Sequence, residues 1–153
     1  MNNRLIASLL AALTAALALL VGGCGQDDRA NEYVDQVNAI QSDLVAEITA
    51  LAADTPTSQE QAADYAREIA AIFGRAADRF AAVEPPQDVA NMHAQVVEQI
   101  RAIAIETRRA ERTLREGTPE EARKALAKLE AISTDAQNRL NLLIDEINAD
   151  LGD

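Results

Sequence analysis

Residues 58–86 read SQEQAADYAREIAAIFGRAADRFAAVEPP, and their spacing decides the fold. Ala62, Ala66, Ile69, Phe73, Ala76, Phe80 and Val83 recur at alternating steps of four and three, the repeat of one buried stripe on an α-helix. Thr57 and Ser58 stand before the stripe as N-cap candidates, with Glu60 and Gln61 as their capping-box partners. Glu84-Pro85-Pro86 ends it, because proline has no N–H to donate and pushes the residue before it out of the helical region.

The same period extends in both directions. Upstream, Ala30, Tyr33, Val37, Ile40, Leu44, Ile48 and Leu51 form a stripe that stops at Asp54-Thr55-Pro56. Downstream, Val89, Val96, Ile100, Ile103, Ala110 and Leu114 predict a third helix from about Asp88 to Arg115. Gly117-Thr118-Pro119-Glu120-Glu121 then supply a C′ glycine, an N-cap threonine, an N1 proline and an N3 glutamate. The fourth stripe is Ala122, Ala125, Leu129, Ile132, Ala136, Leu140, Leu143, Ile147 and Leu151. Its steps become four and four between Ile132 and Leu140, where Ser133-Thr134-Asp135 are poor interior helix formers. A bend, a register change or a break is expected there. With no alternating strand pattern, the chain predicts an all-α fold: an antiparallel up-down-up-down four-helix bundle over residues 30–153, following an N-terminal signal helix. Abundant alanine on the stripes lets the backbones approach closely.

Composition excludes several classes of function. The 153 residues carry a net charge of −11, with one Cys, one His, no Trp and 3% aromatics. Nucleic acid is excluded as a partner, because binding phosphates needs a basic face with counterions to release. One cysteine cannot build a disulfide framework. A di-iron bundle needs Glu-x-x-His on two facing helices, and the single His93 has Ala90 three residues before it. Haem ligation fails too, since Met92 and His93 are adjacent on one helix, and no His-Glu-x-x-His occurs. No cofactor or metal is expected. The acidic pairs Asp27-Asp28, Glu120-Glu121 and Asp145-Glu146 fall on helix ends or solvent faces, and Ser42, Ser58 and Ser133 lie in no strained turn. The chain therefore reads as a binding module, not an enzyme. His93 falls on the third stripe as a boundary histidine, hydrogen-bonded to a neighbour or solvated. Phe73 and Phe80 sit on the core seam, with the hydroxyl of Tyr33 or Tyr65 expected at its boundary.

The N-terminus carries an address. Met1-Asn2-Asn3-Arg4 precedes an apolar run from Leu5 to Val21, interrupted only by Ser8 and Thr14. Val21-Gly22-Gly23-Cys24 follows, and then the polar Gln26-Asp27-Asp28. This order resembles the lipobox of bacterial lipoproteins, with Val21 in the −3 position usually held by Leu. The resemblance implies a signal peptide over 1–23, cleavage between Gly23 and Cys24, and diacylglycerol and palmitate-type acyl chains on Cys24. Two or three chains would hold the domain on the membrane, where one alone is marginal. Residues 24–29 would be a lipidated tether. Without its first 23 residues the chain keeps 13 of its 14 basic and all 25 acidic side chains, so its charge moves to −12. Arg outnumbers Lys by 12 to 2 and Ala is abundant, as in high-GC genomes. With Val83-Glu84-Pro85-Pro86 followed by His93, the chain also resembles small actinobacterial helical lipoproteins. That second resemblance carries no activity, whereas the lipobox resemblance, with the composition, implies the extracytoplasmic face of the cell membrane.

Charge is unevenly spread. Residues 101–128 hold eight basic and five acidic side chains, against 5 basic and 20 acidic in the rest of the mature chain. In the predicted bundle this segment lies at the end away from the lipid. Arg108, Arg109, Arg112, Arg115, Lys124 and Lys128 are thus candidate contacts for an acidic envelope partner, either an anionic wall polymer or a protein face. The competing account is helix electrostatics: arginines suit the C-terminus of the third helix, and Glu111–Arg115 and Glu120–Lys124 are favourable i,i+4 pairs. A second expectation is a small-ligand module with an apolar slot near Phe73 and Phe80. The heptad faces also leave a dimer open.

Overall fold

The computed structural model describes residues 28–53 and 55–152. Four helices account for nearly all of them: α1 (Asp28–Ala52), α2 (Gln59–Ala81), α3 (Ala90–Glu116) and α4 (Pro119–Gly152). A 3-10 turn, Gln87–Val89, leads into α3, so the regular helix starts two residues later than Asp88. Consecutive helices pack antiparallel in an all-α, bundle-like arrangement. Asp28 and Arg29, expected in the tether, already form the first turn of α1. The signal peptide, the Gly23–Cys24 cleavage site and the lipidation of Cys24 lie outside the described residues.

On α1, α2 and α3 the predicted stripes are the buried ones, with Leu51 and Ile69 half-buried at their edges. A second line emerges on α2: Ala63, Ala70 and Ala77, seven apart and almost wholly buried. They share a face with Gln59, whose amide bonds to α3. With only a methyl group at each level, this face lets α2 and α3 pack closely, and among the described helices these two share the most extensive contact.

α4 corrects two expectations. It runs unbroken through Ser133-Thr134-Asp135, and Thr134 turns its hydroxyl back to the Glu130 carbonyl at 3.0 Å. Its buried line is Ala122, Leu126, Leu129, Ser133, Ala136, Leu140, Ile144, Ile147 and Leu151. Leu126, Ser133 and Ile144 replace Ala125, Ile132 and Leu143, which lie half-buried at the edge. Keeping the three-four repeat through this stretch of the 34-residue helix places a serine in the core. The four-four step moves to Ala136–Leu140–Ile144.

The core divides in two. A large cluster joins all four helices and contains the bulky side chains, including Tyr33, Phe73, Phe80, Ile100, Leu140 and Ile147. A small one, Ala62, Ala63, Ala66, Leu114, Ala122 and Leu126, joins only α2, α3 and α4. α1 ends at this level, where Leu51 and Ala53 line one depression with Gln61 and Tyr65, and contributes no residue to the small cluster.

The connections are built as the turn residues imply. Ser58 accepts the Gln61 N–H at 3.1 Å, while Gln61 accepts the N–H and hydroxyl of Thr57, each at 2.8 Å. Thr118 and Glu121 close a full capping box: the carboxylate takes the Thr118 N–H and hydroxyl at 2.8 Å, and the Glu121 N–H returns to the hydroxyl at 3.3 Å. Gly117 departs from expectation. Its φ is −84°, an extended cap with no need for a left-handed glycine. A Cβ there would lie 2.5 Å from the Thr113 carbonyl oxygen, so glycine is required by close approach.

Candidate functional site

The two ends of the bundle differ in chemistry. At the end where α1 starts, His93 lies in the core at 5% exposure, not at its boundary. Its Nε2 is 3.0 Å from the carbonyl of Phe80, in the last turn of α2, and its Nδ1 is 3.1 Å from the Tyr33 hydroxyl of α1. A carbonyl only accepts, so Nε2 carries the proton, and the phenol donates to Nδ1. The rings meet edge to face at 71°. One neutral imidazole thus ties α1, the end of α2 and α3. Burial lowers the His93 pKa, opposed by the Phe80 carbonyl, and burial pushes Tyr33 up to about 12. Both groups are satisfied and neutral at pH 7, so this triad is a structural joint.

The Gly117 end carries the cations expected to form a contact surface. Arg115 donates to Glu111 at 2.7 Å and to Asp64 of α2 at 3.0 Å. Lys128 of α4 reaches Glu106 of α3 at 3.1 Å, and Arg109 pairs with the same carboxylate. Hydrogen bonding to Lys128 holds Glu106 below the usual carboxylate range. Lys124 lies 3.6 Å from Glu120, which also pairs with Arg123. Arg108 and Arg112 are exposed and form no ion pair among the described residues. Both predicted i,i+4 pairs are therefore present, and the cations divide. Arg101 and Arg115 bridge from α3 to Asp78 and Asp64 of α2, whereas Arg109 and Lys128 meet over the α3–α4 side. Helical period places Arg108 and Arg112 with the first set. The six candidates share one end but not one continuous patch.

Among the depressions on the surface of the described residues are three that neither Phe73 nor Phe80 lines, these two being 3% and 1% exposed in the core. A polar cleft of about 620 Å³ lies beside Tyr33 and Pro85-Pro86, with Arg29, Glu32 and Glu84 around it. A second, of about 450 Å³, lies under the α1–α2 connection between Leu51, Pro56 and Tyr65. The Tyr65 hydroxyl is buried there with no hydrogen-bond partner among the described residues, contrary to a hydroxyl at the core boundary, and burial raises its pKa. The third is a groove of about 290 Å³ between α3 and α4 near Gly117.

Among the described residues no group of three or more His, Cys, Asp or Glu is placed to hold a metal ion. No described helix is long and apolar enough to cross a membrane. No protein-family model matches the chain, nor does any curated protein or solved structure.

Two cross-links escaped the sequence reading. Gln59 donates to the carbonyls of Leu114 and Gly117 at 2.9 and 3.0 Å, capping the end of α3 from the start of α2. The other is the His93–Phe80 contact, which does the same for α2. Both act on helix C-termini, whose free carbonyls announce a need for donors but not which side chain supplies them.

Proposed function

We propose that the chain is a non-enzymatic, lipid-anchored module of the cell envelope: an up-down-up-down helical bundle after a signal helix, held through acyl chains on Cys24. It contacts an acidic envelope partner with the end that carries Arg108 to Lys128. The observation supporting this reading is the segregation of the two ends. The first turn of α1, which follows Cys24 by only a few residues, lies beside Pro85 and Pro86 at the opposite end from Gly117. α4 runs back from the Gly117 end and packs against the Gln87–Val89 turn, so the end of α4 lies there too. Acidic Glu84, Asp88 and Asp150 then stand near the anionic membrane surface, which favours an upright bundle with its cations outward. Arg108 and Arg112 are free to meet a carboxylate or phosphate without giving up an intramolecular pair.

Photo-crosslinking in intact cells tests the reading, with the reactive residue at position 112 and a control at Asp150. A specific adduct at 112 alone supports it. Adducts at both positions equally, or at neither, overturn it. Reversing Arg108, Arg109 and Arg112 to Glu should abolish capture while the domain stays folded.

A small-ligand module is the second reading. The unpartnered Tyr65 hydroxyl beside a cleft favours it, with the slot moved from Phe73 and Phe80 to the α1–α2 connection. A stabilising compound would raise the melting temperature by mass action, and Tyr65→Phe would reduce that rise. A broad compound screen without a stabiliser counts against it.

A further inference from the structure

The groove between α3 and α4 has an apolar floor and a cationic rim. Ala110 of α3 faces Ala125, Leu129 and Ile132 of α4 across it, and Arg109, Lys124 and Lys128 stand at its edges. The floor residues explain the depression: two alanines stand at opposite walls, where a larger side chain would fill the space. Such holes between two helices receive the Leu or Ile side chains of a third.

The rim is committed to intramolecular pairs only loosely. The side chains of Arg109, Lys124 and Lys128 are 57%, 74% and 60% exposed. Exposed ion pairs are worth about 1 kcal/mol or less, so turning a cation toward an incoming carboxylate costs little. Glu106 is shared between two cations, which leaves an excess positive charge. Glu121, the other carboxylate at the groove, accepts from Thr118 and also feels the charge of Lys124, so the cations Arg109, Lys124 and Lys128 outnumber the groove's two carboxylates by one. Although the chain as a whole is acidic, charges beyond about 8 Å are screened at physiological salt, so the local rim decides what docks.

We propose that this groove docks an acidic amphipathic helix of a partner protein. The inference rests on reading the Gly117 end as the contact surface, and it names the partner class. An anionic wall polymer would use the rim but has nothing to place against Ala110, Ala125 and Ile132. A helix with Leu or Ile on one face and Glu or Asp beside them uses both. From Glu121 to Ile132 the wall is about 16 Å long at 1.5 Å per residue, which fits about three turns of a docked helix.

The test uses the full-length chain in detergent micelles and three labelled probes of equal charge, with binding to empty micelles subtracted. The first is a 14-residue Glu/Leu peptide with all Leu on one helical face. The second is the same composition scrambled so that no face forms, and the third is polyglutamate. The expected result is binding of the first at least tenfold tighter than the other two. Ala125→Leu, which fills the floor, should remove that preference while helix content and melting temperature stay unchanged. Equal binding of all three overturns the groove in favour of a purely electrostatic surface that takes polymers, and no binding by any probe overturns it outright. Crosslinking at position 112 keeps the two readings separate. A partner captured there with no preference for the facial peptide sinks the groove alone, whereas failure at 112 sinks the contact end on which it rests.

Discussion

The two ends of the bundle solve opposite packing problems. At the Pro85 end four helices meet around large side chains, and His93 joins three of them through Tyr33 and the Phe80 carbonyl. At the Gly117 end three helices meet around alanines, and charge is arranged on the outside. One end is therefore held by filling volume and satisfying buried polar groups. The other is held by close backbone approach, and it leaves shallow grooves where small side chains line a seam. A surface available to a partner follows more readily from the second kind of packing.

The largest effect should come from removing volume where volume is what fills the core. Phe80→Ala, at a side chain 1% exposed, should cost about 3–5 kcal/mol by urea unfolding. The contrast between the ends predicts the reverse at Ala63, which is 0% exposed in the alanine seam. There, adding volume is the damaging change, and Ala63→Leu should cost about 1–3 kcal/mol. If Ala63→Leu were neutral, the seam would not be closely packed and the comparison would fail. Gly117→Ala should cost a similar about 1–3 kcal/mol, because its Cβ would meet a backbone oxygen that cannot move aside cheaply.

Titration separates the ends as well. His93 is held neutral in the folded state below its ordinary value of 6.5, so as pH falls past about 6.5 protons bind preferentially to the unfolded chain. Stability contributed by the Pro85 end is full above pH 6.5 and is lost below it. Glu106 and Glu121 at the other end have pKa values lowered from 4.5, so their contribution is lost only as pH falls below about 4.5. Urea midpoints measured from pH 8 to 3 should show both losses in wild type, and only the lower one in His93→Phe. An unchanged upper step in that variant would remove His93 from the account. The smallest effect belongs to neither end: Gly74→Ala, mid-α2 with open space at its Cβ, should stabilise by about 0.5–1 kcal/mol.

Much of this was legible in the sequence, for identifiable reasons. Ser58 and Thr118 cap helices because their hydroxyls sit three residues before Gln61 and Glu121, a purely local relation. Glu111–Arg115 forms because four residues make one turn. The candidate contact residues were harder. Their positions along the chain were plain, but which side of α3 each faces depends on Asp64, Asp78 and Lys128, partners contributed by α2 and α4. The α3–α4 groove depends in the same way on two alanines fifteen residues apart meeting across a seam.

By itself, then, the amino-acid order determined four helices, the caps that join them, the stripes buried on the first three and the segregation of charge along the chain, since each is set by residues within a few turns of one another. Only the tertiary structure decided that Ser133 lies in the core, that Gly117 answers a carbonyl and not a left-handed turn, and that His93 and Gln59 cap helices other than their own. Those outcomes turn on which distant atoms come within hydrogen-bond or van der Waals range, and periodicity along one helix carries no information about the rotation of its neighbours.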